Sequence, residues 1–84
     1  MSYEMTQLVK DSIKYANEGN YIEMTRVAKR VIQAYPEVPE IHYVLGCGYI
    51  KLGEYELAAN SMQNAASIKK HIEEELLLSF FIAQ

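Results

Sequence analysis

The segment YANEGNY, Tyr15 to Tyr21, is followed 34 residues later by YIKLGEY, Tyr49 to Tyr55, with tyrosine, glycine and tyrosine at the same spacing. A fixed period of this length constrains the fold more than any other feature of the chain. It means that one supersecondary unit is written twice. Such a unit cannot bury its apolar face alone, so the two copies must stack.

The residues between the repeats have helical rather than alternating periodicity. Leu8, Val9, Ile13 and Ala16 recur at three-to-four spacing and predict an amphipathic helix over about residues 3–18. Gly19 sits just past it, where a left-handed residue is wanted, and Asn20 can cap the next helix. That helix, about 21–35, would bury Tyr21, Met24, Val27, Ala28, Val31 and Ile32, and Tyr35-Pro36 ends it. Pro39 suits the first turn of a third helix, over about 39–52, which stops at Gly53. A fourth, about 54–69, holds Leu57, Ala58, Met62, Ala65, Ala66 and Ile68. A fifth begins near His71 with Glu73, Glu74 and Glu75 in its first turn, where the helix dipole favours acid. No segment reads as a strand. The expectation is one all-α domain over residues 1–84 with about five helices. Antiparallel helix-turn-helix units span about 5–38 and 39–72, and a closing helix spans about 72–84.

The unit resembles the tetratricopeptide repeat. Over residues 39–72, Leu45 and Gly46 stand at the Leu-Gly positions, Tyr49 at the tyrosine, Gly53 and Tyr55 at the turn, and Ala58 and Ala65 at the two alanines. Met62 replaces the usual aromatic, His42 stands where tryptophan is common, and Lys70 where proline is expected. Over 5–38, Tyr15, Gly19, Tyr21 and Pro36 are in place, while Ser12, Met24, Ala28 and Val31 depart from the pattern. The resemblance implies an α-solenoid in which the first helix of each unit lines a concave groove. Carried over position by position, it puts Val9, Ile13 and Ala16 in that groove from the first unit. Tyr43, Cys47 and Ile50, with Val44 beside them, come from the second, and Leu77 and Phe81 from the last helix. Core packing is the alternative for Val44 and Ile50. Relatives that grip a peptide carboxylate use basic and amide side chains there, and this chain has Val9, Ile13 and Val44. The floor instead suits an apolar peptide or amphipathic helix of a protein partner. An adaptor or a small chaperone of the type III secretion kind is the function the resemblance implies.

Composition bears on what remains. In 84 residues, half of them apolar, the interior is small: a chain this short buries roughly 60–65% of its unfolded surface. The final stretch LLLSFFIAQ is apolar nearly all round: Leu76, Leu78, Phe80 and Ile82 accompany Leu77, Phe81 and Ala83. Such a helix is buried on all sides. Something must cover it: a partner, a second copy in a self-associating dimer, or further units if the chain is part of a longer array. The start at Met1 is read as natural.

The net charge of −3 argues against a dedicated nucleic-acid binder, and Lys10, Lys14, Arg26, Lys29 and Arg30 are interleaved with Asp11, Glu18 and Glu23. No run of about 18 apolar residues predicts a membrane span, and no basic-then-apolar leader opens the chain. One cysteine allows no internal disulfide and fits a reducing, cytoplasmic setting. No motif for hydrolysis, phosphate binding or zinc chemistry is present, so no enzyme, cofactor or metal is expected. His71 with Glu74 or Glu75, joined by His42, is the nearest approach to a ligand set. Cys47 with His42, five residues apart, makes a poor nucleophile pair.

Overall fold

The computed structural model describes residues 3–83, without the side chains of Glu4 and Ala83. The expectations for Met1, Gln84 and the Ala83 side chain therefore lie outside the described residues. Those residues form four helices and no strand: α1 (Tyr3–Asn17), α2 (Tyr21–Ala34), α3 (Pro39–Lys51) and α4 (Tyr55–Ala83). Each helix packs on the next, and α1 also touches α3.

The two Gly turns are built alike. Gly19 and Gly53 have φ of +75° and +77°, the left-handed region that glycine enters without strain. At the first turn the Asn20 N–H donates to the Tyr15 carbonyl at 2.8 Å and the Gly19 N–H to Ala16 at 3.1 Å. At the second, Glu54 donates to Tyr49 at 2.8 Å and Gly53 to Ile50 at 3.1 Å. These paired bonds close each helix by satisfying its last carbonyls. Asn20 then starts α2, its side chain accepting from the Glu23 N–H at 3.3 Å. Between α2 and α3 the short link is held by His42, whose Nε2–H donates to the Pro36 carbonyl at 2.9 Å.

The core lies where α2 and α3 meet, between α1 and α4. Met5, Ala28, Val31, Ile41, Leu45, Tyr49 and Ala58 form it, and Leu8, Val9 and Val44 pack against its edge. Burial repeats with the 34-residue period: Ser12 and Gly46, Met24 and Ala58, Val27 and Ser61, and Val31 and Ala65 are all buried. The period thus places whole helix faces, not only turns. Leu57 departs from expectation. It is 45% exposed, one position off the face that carries Ala58 and Ala65.

The small residues of α3 have two different neighbours. A Cβ on Gly46 would sit 2.8 Å from the Met62 terminal methyl of α4, within the hairpin. A Cβ on Gly48 would sit 2.5 Å from the Thr25 methyl of α2, in the other hairpin. Gly46 lets α3 close on α4, and Gly48 lets the second hairpin close on the first.

The main correction concerns the fifth helix. The break expected near residue 70 is absent, and α4 runs unbroken for 29 residues, about 43 Å. The reason is local. After Gly53 the chain has neither glycine nor proline, and Lys70 stands where the repeat pattern would put the proline that stops a helix. His71 and Glu75, one turn apart at 3.1 Å, pair on the turn just past the place where the break was expected. Every residue from Lys69 to Ile82 is exposed, so the second half of α4 leaves the bundle as a single helix. The described residues extend over 49 × 31 × 19 Å.

Candidate partner-binding surface

Two short apolar stripes lie open on the first helices of the two hairpins. On α1, Ile13 is 52% exposed between half-buried Val9 and Ala16. On α3, Tyr43, Cys47 and Ile50 are all exposed, Tyr43 by 40% and Ile50 by 45%. In both helices the spacing is i, i+4, i+7, which keeps the three side chains on one face. Val9, Ile13 and Ala16 stand one 34-residue period before Tyr43, Cys47 and Ile50, so equivalent turns of two touching helices present equivalent apolar positions. Val9 and Val44 also pack against the core, and Ile50 does not.

The structure does not bring Leu77 and Phe81 to this surface. With α4 unbroken, they lie on turns past the start of α3, 59% and 70% exposed. Leu76, Leu78, Phe80 and Ile82 share that projecting segment and are also exposed. The Phe80 and Phe81 rings meet edge-on at 6.1 Å between centroids.

A cleft of about 420 Å³ opens beside Tyr43, between the α2–α3 link and the middle of α4. Val38, Pro39, Tyr43 and Ile72 give it apolar walls, and Glu37, Glu40, Glu73 and Lys69 rim it. Sequence reasoning missed it, although a signal was present. Ile72 follows Val38 by one period, so the residue that closes each unit is apolar.

The charged residues form no comparable site. Glu23 pairs with Arg26 at 2.6 Å, and this hydrogen bond and charge hold the guanidinium protonated above its ordinary range. Lys29 lies over the Tyr49 ring, 5.5 Å from its centroid. Two of the five basic residues are thus engaged within the fold. Among the described residues no group of His, Cys, Asp and Glu is arranged to hold a metal, and no helix is long and apolar enough to cross a membrane. Cys47 is a free, exposed thiol, and His42 is buried with its Nε2 committed to Pro36.

No family model, curated protein or solved structure matches the chain, and the surface is therefore read from its own geometry.

Proposed function

We propose that this chain is a non-catalytic protein-interaction module. It consists of two tetratricopeptide-like hairpins that take an apolar peptide or amphipathic helix across the α1/α3 surface, as an adaptor or small chaperone does. One observation carries the reading: solvent-reaching apolar side chains recur at the same register on two neighbouring helices, exposed Ile13 and half-buried Ala16 on one, exposed Cys47 and Ile50 on the other. An extended or helical segment with apolar anchors at regular spacing fits such a pair of stripes. The single exposed thiol suits a reducing, cytoplasmic setting.

Selection from a displayed library of amphipathic helical peptides tests this. Enriched peptides should bear apolar residues at i and i+3 or i+4, and their binding should be insensitive to salt. Ile13→Asp and Tyr43→Asp should each abolish it while leaving helicity and melting unchanged, since both side chains are exposed. Peptide binding that persists in both variants would sink the reading, as would binding that depends steeply on salt.

A further inference from the structure

The face of α4 that packs on the core does not end where the core ends. Ala58, Ser61 and Ala65 are buried and Ile68 is half-buried. On the same face Ile72, Leu76 and Phe80 follow at helical spacing, 38, 65 and 59% exposed. Leu77, Leu78, Phe81 and Ile82 complete the circumference, and residues 76–82 bear no charge. Monomeric proteins rarely leave contiguous apolar patches of more than a few hundred Å² in water. At the root of this rod lies the cleft walled by Val38, Pro39, Tyr43 and Ile72. One molecule therefore exposes both an apolar helix end and an apolar recess, adjacent on one element.

We infer that a second copy of this chain covers both. The two α4 helices cross antiparallel about a two-fold axis at Leu76, and the Phe80 end of each enters the other's cleft. The geometry is self-consistent. At 1.5 Å per residue Phe80 lies about 12 Å beyond Ile72 on the same face, so an axis midway, at Leu76, sets Phe80 of each copy beside Ile72 of the other. Under a two-fold every contact is made twice and no edge is left to propagate. Within the described residues an unbroken α4 cannot return Phe80 to its own cleft. The absence of charge over 76–82 gives a charged partner nothing to select. The cleft has two walls, one on the α3 side and one on α4, which suits a helix that is apolar on more than one face. The side chains so covered amount to roughly 600 Å² per copy, which places the pair at the ~1,200 Å² lower bound of stable specific interfaces. Association should therefore depend visibly on concentration. The inference does not rest on the α1/α3 reading, and only Tyr43 belongs to both surfaces.

Light scattering on a sizing column, over a hundredfold range of concentration, tests the pairing. The mass of the parent should climb from 9.6 kDa toward twice that value. Leu76→Glu and Phe80→Glu should remain single copies that still melt cooperatively, because within one copy these side chains are largely exposed. Ile13→Asp should dimerise like the parent. A parent that stays at one copy throughout overturns the proposal, as does one that grows past two copies or pairs undisturbed by both α4 substitutions. Orientation has its own readout in a Cys47→Ser background. Mixing Ile72→Cys with Phe80→Cys copies should give the mixed disulfide, whereas Phe80→Cys joined only to itself means a parallel pair and refutes the geometry.

Discussion

Replacing Gly48 with alanine isolates the contact that joins the two hairpins. Gly48 lies in the last turn of α3, where glycine still costs up to roughly 1 kcal/mol relative to alanine. On helix propensity alone, Gly48→Ala should therefore stabilise. The structure predicts the opposite. The new methyl would sit 2.5 Å from the Thr25 methyl, about 1 Å inside ordinary contact distance. Thr25 cannot easily rotate away, because its Oγ1 donates to the Ile22 carbonyl at 2.9 Å and its side chain is buried. Relief must come from moving α3 away from α2, and overpacking of this kind costs ~1–3 kcal/mol. Set against the propensity gain of ~1 kcal/mol, the net is a loss of up to about 2 kcal/mol, or a fall in Tm of up to roughly 15 °C for a domain of this size. The second half of the cycle makes the argument specific. Thr25→Ser removes the clashing methyl and keeps the hydroxyl bond. Alone it should cost about 1 kcal/mol for the lost buried group. In combination, one methyl replaces another in the same space, and the double variant should match or exceed the parent. Urea unfolding followed by circular dichroism gives the coupling energy directly, expected at about 2 kcal/mol. If Gly48→Ala showed the full propensity gain over the parent, or Thr25→Ser failed to couple with it, the account of how the hairpins meet would be wrong.

Gly46 should behave differently from its neighbour two residues on. Its obstacle is the end of the flexible Met62 side chain, so Gly46→Ala should be neutral or gain up to ~1 kcal/mol in urea melts. Gly46→Leu should lose several kcal/mol, beyond the ~1–3 of routine overpacking, because Met62 cannot vacate that volume. Gly19→Ala and Gly53→Ala should each cost ~1–2 kcal/mol from the left-handed backbone alone, since neither Cβ meets an atom, and thermal melts of the pair should show the two losses adding. Asn20→Ala should remove ~1 kcal/mol by leaving the Glu23 N–H without its side-chain acceptor, read from the same melts.

Much of the bundle was legible because period and helix face are local properties. The spacing of Tyr15, Gly19 and Tyr21 against Tyr49, Gly53 and Tyr55 located two turns that share one hydrogen-bond pattern. The apolar periodicity bounded α1, α2 and α3 to within a residue or so. Gly48 was not legible in this way. Its period partner is Lys14, which is exposed, so the need for a small residue arises only where α3 lies against α2. A requirement that belongs to the junction between units has no echo inside the unit. The same limit hid the cleft, whose walls come from the link before α3 and from α4.

The unbroken α4 shows where a family pattern and local physics part. The pattern places a stop near residue 70 and a new helix after it. The residues supply no stop, since nothing from Glu54 onward breaks a helix. The hydrophobic content of 76–82 was read as belonging to a helix buried on all sides, yet the structure leaves those side chains open. Hydrophobicity states that cover is needed and does not state which chain provides it. What selects between folding back and reaching out is the stiffness of the five residues Ile68 to Ile72. A helix continuous through them carries the apolar end away from its own bundle. Lys70, unremarkable on an exposed turn, thereby helps keep residues 76–82 out of the interior of the bundle.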